Sequence, residues 1–247
     1  MTAGPTREPL DPARFLSNAS SGRMGYALAA EALARGAAVT LISGPTPLAP
    51  PPGVNLVRVT TAQEMFRAAL NQASGVDLVL KAAAVADYRP ETAARGKVKK
   101  ETLRARARRA GSRDGSILMK LVPNPDILEE VGRRRKPGQV LVGFAAETDA
   151  LTANAVQKLK RKNLDLIVAN RIGGPGEGFG GETNRAVAID RDGRRTEIPL
   201  MTKTAMAGVV LDLAERFLVP PGAPTARGAI RGATGGRTGA VRRRTIP

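Results

Sequence analysis

The stretch TAGPTREPLDPARFLSNASSGRMGYALAAEALARGAAVTLISGP, residues 2 to 45, decides the fold. Thr2 to Gly4 reads as the end of a strand, and a loop follows it. Ser20-Ser21-Gly22-Arg23-Met24-Gly25 then opens a helix over 24–35 that stops at Arg35-Gly36, and AAVTLIS (37–43) is the next strand. Strand, glycine-bearing turn, helix and strand make a βαβ opening. Free N–H groups at the start of such a helix carry partial positive charge, and Gly22 and Gly25 allow close backbone approach, so a nucleotide phosphate is one expected occupant. A second reading stays open, in which Ser20 or Ser21 is a plain N-cap and Gly25 serves helix packing.

The same rhythm continues along the chain. VNLVRVT (54–60), VDLVLKAAAV (76–85), QVLVGFAAE (139–147) and LDLIVAN (164–170) are near-continuous apolar runs, the pattern of strands buried on both faces. Helical patterns over 61–73, started by Thr61, and over 126–135 and 150–162 separate them. The spacing predicts an α/β fold, a Rossmann-like doubly wound and mostly parallel sheet. After Asn170 a Gly-rich loop (173–181) leads to AVAID, the turn Arg191-Asp192-Gly193 and RRTEIPL, an antiparallel hairpin that extends the sheet. A last helix over 203–218 closes a single domain, residues 1–218.

Composition narrows the chemistry. The chain of 247 residues is 42% hydrophobic and 25% charged, a globular composition. No apolar run approaches the roughly 20 residues of a membrane span and no basic-then-apolar leader opens the chain, so a cytoplasmic protein with no membrane partner is expected. With no Cys and no His there is no disulfide, no zinc site of the usual ligands and no Ser-His or Cys-His pair. Chemistry has to run on Lys, Arg, Asn, Asp, Glu, Ser, Thr, the backbone and a hard cation.

The net charge of +17 points to an anionic partner, but its location matters. Residues 219–247 hold six Arg and no acid among repeated Gly and Pro, and read as a disordered, solvated tail. Arg104, Arg106, Arg108, Arg109 and Arg113 form a second basic cluster, also most simply a solvated face. Aromatics are only 3% of the chain and none alternate with the clusters, so no stacking platform for nucleic acid exists and no specific nucleic-acid partner is expected. A short-chain dehydrogenase would need Tyr and Lys four residues apart. Tyr26 is followed at that spacing by Ala30 and Tyr88 by Thr92, which leaves a nicotinamide-dependent reductase and a basic nucleic-acid-binding module as the weaker alternatives.

Five strings in order carry a more specific signal: TAGPTREPLDPARFLSNASSGRMG (2–25), AAAVADYRP (82–90), KVKK (97–100), VPNPDIL with VGFAAET (122–128 and 142–148), and KLKRKNLDLIVAN (158–170). Together they closely resemble the bacterial phosphopantothenoylcysteine synthetases, the ligase half of the bifunctional coenzyme A biosynthesis proteins, over residues 2 to 218. The resemblance implies a two-step ligation in which the carboxylate of 4'-phosphopantothenate attacks the α-phosphate of CTP, with Mg²⁺, and the amine of cysteine then displaces CMP. Side chains alone do not separate CTP from ATP. It also implies a homodimer, with the hairpin over 184–200 expected at the interface, and a flavin-dependent decarboxylase preceding the ligase in the bifunctional protein, a domain absent from this chain.

Residue by residue, the resemblance implies that Asn18 holds the acyl group during cysteine transfer, and that Lys97 supports acyl-cytidylate formation. Lys99 and Lys100 fit a solvated loop. For CTP it implies Ser20, Ser21 and Gly22, then Ala83, Asp87, Lys97, the turn Pro125-Asp126-Ile127-Leu128, Phe144, Lys158 and Lys162. Asp87 sits at the end of the third strand, where its carboxylate could accept from a ribose hydroxyl or hold a cation; both stay open. Lys158 and Lys162 are four apart on one helix and can address one ligand. The segment 91–116, poor in large apolar residues, is expected to act as a lid over bound nucleotide.

Overall fold

The computed structural model describes residues 1–109, 111, 114–147, 151–171 and 181–218. The Gly-rich stretch at 173–180, Arg113, Thr148 and the tail at 219–247 lie outside those residues.

The opening βαβ unit forms as expected at its ends and differs in its middle. β1 (Thr2–Ala3) is buried, and the chain then builds an antiparallel hairpin, β2 (Arg7–Asp11) with β3 (Arg14–Ser17), where a loop was expected. The Asp11 carboxylate makes that turn by accepting from the N–H groups of Ala13 (2.8 Å) and Arg14 (2.9 Å). α1 (Arg23–Ala34) follows. Neither Ser20 nor Ser21 is its N-cap: that position is Gly22, at φ 79°, and no side chain caps the helix. The Ser20 hydroxyl accepts instead from the Gly22 N–H (3.3 Å), and glycine takes the left-handed turn without the penalty a Cβ would bring. Gly25 has the packing role: a Cβ there would lie 2.5 Å from the Ala3 Cβ.

β4 (Thr40–Ser43) and β5 (Asn55–Arg58) come next, then α2 (Ala62–Ala73). Thr61 caps α2 in a full capping box with Glu64. β6 (Leu78–Lys81) is shorter than the apolar run suggested, because after Lys81 the chain leaves the sheet and Ala84 keeps only an isolated bridge to Pro5. β7 (Tyr88–Pro90) pairs antiparallel with β8 (Leu121–Pro123). Between them runs α3 (Lys100–Arg109), a helix within the segment expected to be a lid. α4 (Ile127–Arg133), β9 (Val140–Glu147), α5 (Leu151–Arg161), β10 (Leu166–Arg171), the hairpin β11 (Thr183–Asp190) and β12 (Arg195–Thr202), and α6 (Lys203–Leu218) complete the chain order.

The eight-stranded sheet has the order β5-β4-β1-β6-β9-β10-β11-β12. Its first six strands are mutually parallel, and only the β10–β11 and β11–β12 pairs are antiparallel, so β11 alone runs against the rest. Numbered among themselves, the parallel strands read 3-2-1-4-5-6, the doubly wound arrangement, and the order reverses between β1 and β6. One core lies beneath α1 and α6, around Leu28, Ala29, Met206 and Val210. The other lies beneath α2, α4 and α5, around Met65, Leu128, Val131 and Leu159. No helix among the described residues is long and apolar enough to cross a membrane.

The contact of α1 with β1 sets the geometry of the entry loop. Gly25→Ala should therefore lower stability by about 1–3 kcal/mol through overpacking, read as a lower urea midpoint at unchanged slope. An unchanged midpoint would show that the helix can move away from Ala3 freely.

Candidate functional site

In an open sheet, ligands bind outside the carboxyl ends of the strands where the order reverses. Here that place lies between β1 and β6, and two loops meet there. The Asn18 side-chain amide donates to the carbonyls of Ala84 (3.2 Å) and Val85 (3.1 Å). The Thr6 hydroxyl accepts from the Ala86 N–H (3.0 Å), and the Asn124 amide donates to the Ala86 carbonyl (2.9 Å). Asn124 also donates its own N–H to the Asp87 carbonyl (2.7 Å). The loop after β6 is thus held by Asn18 from one side and Asn124 from the other. In this arrangement the Asn18 amide nitrogen is engaged with the loop backbone.

The turn that carries Asn124 also carries charge. Asp126 caps α4, accepting from Leu128 and Glu129 N–H groups at 3.1 Å each, and pairs with the Lys162 ammonium at 2.6 Å. Burial works to raise the Asp126 carboxyl, but Lys162, the Glu129 N–H and Lys81 outweigh it and hold the group below the usual range. Lys162 is a turn residue one step past α5 and not a helical one, yet its N–H still bonds the Lys158 carbonyl, which keeps the two lysines on neighbouring turns.

Lys81 joins this group and was not legible as a site residue. It ends β6 on the face shared by Val79 and Ala83, beneath α4 and α5. Burial lowers its ammonium from the usual 10.5 to about 8, helped by Lys162 and Lys158 and opposed by Asp126 and Asp87. The Lys162–Asp126 pair, Lys158 and Asp87 therefore all lie within electrostatic reach of Lys81 at the end of β6. That arrangement has a net positive charge in a partly desolvated place and suits a polyanion.

The remaining residues fall into three sets. Ser20, Ser21 and Gly22 stand at the uncapped start of α1, with the Ser21 carbonyl accepting from Thr46 (3.0 Å). Ala83 is buried, and its N–H donates to the Thr2 hydroxyl (3.3 Å). Pro125 is partly exposed, whereas Ile127 and Leu128 are core side chains that can offer a ligand only backbone. Phe144 lies one residue past Gly143, the partner of Lys81 in the sheet, and packs on the α1 and α6 face, opposite the lysines. Asp87 is exposed and lies six residues past the end of β6, not at the strand end itself. Lys97 is exposed and belongs to the segment docked on the β2–β3 hairpin; among the described residues no acid pairs with it.

Among the described residues no three acidic groups cluster as a metal cage. The exposed Asp87 carboxylate beside a polyanion site suits Mg²⁺, which keeps several waters and is usually held by one or two carboxylates plus phosphate oxygens.

Comparison with known proteins shows the family and the fold of the chain. The family model for the DNA/pantothenate metabolism flavoprotein C-terminal domain matches residues 1–217. A coenzyme A biosynthesis bifunctional protein CoaBC from Bacillus subtilis (strain 168) is 44% identical over 212 residues, covering 85% of this chain and 49% of that protein. A protein from an unidentified prokaryote, named a cysteine/cysteine sulfinic acid decarboxylase, is 45% identical over 212 residues, 85% of this chain and 56% of its own length. The chain thus spans about half the length of the curated relatives it matches. The crystal structure of the C-terminal domain of a CoaBC protein superposes with a TM-score of 0.71 at 39% identity, covering 88% of this chain and 93% of that one.

The depressed Lys81 gives a sign to pH dependence. Between its folded value of about 8 and its usual 10.5 the unfolded chain binds more protons, so this residue makes stability rise with pH across that window. Urea midpoints of wild type and Lys81→Met, compared from pH 7.5 to 10, should diverge, with the rise weaker in the variant. Parallel curves would mean that Lys81 is solvated like any surface lysine.

Proposed function

The chain belongs to the DNA/pantothenate metabolism flavoprotein C-terminal domain family, and on that premise we propose that it is a phosphopantothenate–cysteine ligase of coenzyme A biosynthesis that uses CTP. The observation that carries this reading is the convergence of Lys81, Lys158 and Lys162 with Asp87 and Asp126 outside the point where strand order reverses, beside the uncapped start of α1. A nucleotide triphosphate is the polyanion that such a place suits.

A carboxylate does not lose hydroxide readily, so activation comes first. In the proposed reaction a carboxylate oxygen of 4'-phosphopantothenate attacks the α-phosphorus of CTP, the bond to the bridging oxygen breaks, and pyrophosphate leaves with the electron pair. The cysteine amine then attacks the acyl carbon, the bond from that carbon to the phosphate oxygen breaks, CMP leaves, and the amine proton passes to solvent. Neither step needs His or Cys from the protein. Positioning and charge neutralisation are sufficient.

In this reading Lys158, Lys162 and Lys81 bind phosphate oxygens, with the first N–H groups of α1 as further donors. Asp87 would hold Mg²⁺ bound with the nucleotide, and the ion would offset charge on the phosphates. Lys97 closes on the phosphates from the segment that holds it, and neutralises charge as pyrophosphate departs. Asn18 keeps the loop at Ala84 and Val85 in place, so that the acyl group meets a fixed backbone edge. Phe144 contributes a ring on the other face of the sheet edge.

A homodimer belongs to the same proposal. Leu200, on the β11–β12 hairpin, is exposed, and further exposed apolar side chains, Phe15, Tyr88, Ile117, Leu118, Met119 and Leu121, lie on or next to the two two-stranded sheets, β2–β3 and β7–β8. That surface borders a cavity of about 500 Å³ lined by Leu10, Val98, Leu103 and Leu118. Sedimentation at micromolar concentration is expected to give twice the chain mass, and a monomer alone would remove this part of the reading.

Pyrophosphate release is the deciding assay. With CTP, Mg²⁺ and phosphopantothenate it should proceed for one turnover without cysteine, and more slowly with ATP; no release with any nucleotide would overturn the ligase reading. Lys97→Gln is expected to slow this step by about 10²- to 10³-fold. Asn18→Asp turns a carboxylate toward the Ala84 and Val85 carbonyls, so cysteine transfer should stall while the acyl-cytidylate accumulates in quenched single-turnover samples. Equal loss of both steps in both variants would contradict the division of roles.

A further inference from the structure

The backbone next to Lys97 is held in an unusual way. Val98, its neighbour, donates its N–H to Asp11 Oδ2 (3.2 Å), and its carbonyl accepts from Arg14 Nη2 (2.6 Å). The same Arg14 Nη2 pairs with Asp11 Oδ2 at 2.6 Å, and Arg14 Nε donates to it at 3.0 Å. Four residues earlier, the Ala94 N–H donates to the Leu10 carbonyl (2.9 Å). The end of the β2–β3 hairpin therefore grips the lysine segment at both peptide groups of Val98 and again at Ala94.

The grip is built from charged groups. The Asp11 side chain is fully buried, and its carboxyl is held at about 2, first by the Ala13 N–H, against burial, and further by Arg14 and the Val98 N–H. It stays ionised at any working pH. Charge-assisted bonds of this kind are shorter and stronger than neutral ones. The Val98 N–H belongs to the peptide that joins it to Lys97, so fixing that plane fixes the direction in which Lys97 leaves the chain. Lys97 itself is exposed, with several rotatable bonds and no acidic partner among the described residues, so its backbone is where its position is set.

We propose that Asp11, paired with Arg14, is a positioning residue for Lys97, holding the Val98 backbone so that the Lys97 ammonium is delivered to the departing phosphates. The inference rests on the ligase reading of Lys97 and deepens it. It assigns the β2–β3 hairpin a role in the first half-reaction, although the hairpin itself touches no reacting atom.

A kinetic cycle separates positioning from general support of the fold. Asp11→Asn should reduce the single-turnover rate of pyrophosphate formation by about tenfold to a hundredfold, the scale of a small misplacement of a catalytic group, with KM for CTP nearly unchanged. In a Lys97→Gln background the same change should cost less than about twofold, since there is no ammonium left to place. Loss by the same factor in both backgrounds overturns the proposal. A fully active Lys97→Gln would instead sink the ligase role of Lys97 and the proposal with it. Should Asp11→Asn fail to fold, Arg14→Gln, which spares the Asp11 bonds to Ala13 and Val98 and releases the Val98 carbonyl, should show the same masking by Lys97→Gln. Hydrogen exchange at the Val98 amide gives a readout free of activity. It should speed up at least about tenfold in Asp11→Asn, in line with loss of a charge-assisted bond, and an unchanged rate would show that the carboxylate does not hold that N–H.

Discussion

Two asparagine amides on one loop form the interaction on which the site depends. Asn18 donates to the carbonyls of Ala84 and Val85, and Asn124 donates to that of Ala86. Beyond Lys81 the chain has left the sheet, so its backbone groups need other partners, and these side chains supply them. The consequence is geometric. The entry loop, the loop after β6 and the turn before α4 become one connected edge, and Gly22, Asp87 and Asp126 keep fixed relative positions on it.

That edge divides the charged and apolar parts of the site between the two faces of the sheet. Lys81, Lys158 and Lys162 gather with Asp126 on the side of α4 and α5, whereas Phe144 and the start of α1 belong to the other side. A ligand using both must lie across the strand ends, which an elongated nucleotide can do. Burial is the main cause of the lowered Lys81, and the like charges of Lys162 and Lys158 add to it. Lys97 stands apart from this group, on a segment held by Asp11 and Arg14, so the proposed chemistry draws its cations from two independently supported places.

Much of this was legible in the sequence, for physical reasons that also explain the gaps. Buried parallel strands leave near-continuous Val, Ile and Leu, so β4, β5, β9 and β10 stood out, and Thr61 marked the start of α2. The turn at Arg191 to Gly193 announced its hairpin. The β2–β3 hairpin was hidden because REPLD and RFLS are short and the positions that β2 buries are the acids Glu8 and Asp11, so no alternation of apolar residues marks it. α3 was hidden by its lack of an apolar face, although Ala, Arg, Leu and Glu in KETLRARARR are good helix formers and could have revealed it. Lys81 lay inside the apolar run 76–85 and drew no reading of its own; only the folded position of Asp126 and Lys162 shows its surroundings. The roles of Asn18, Lys97, Lys158 and Lys162 came from motif resemblance, since no periodicity distinguishes a ligand-binding lysine from a solvated one.

The central claim is that a nucleotide triphosphate binds across the carboxyl ends of β1 and β6. A crystal structure of the chain with CTP and Mg²⁺ tests it most directly. The account predicts phosphate oxygens within hydrogen-bond distance of Lys162 and of the first N–H groups of α1, with Lys81 drawn toward the same phosphates. Nucleotide bound in the cavity beside Leu103 and Leu118, or anywhere that leaves the Lys162–Asp126 pair and the start of α1 untouched, would contradict it.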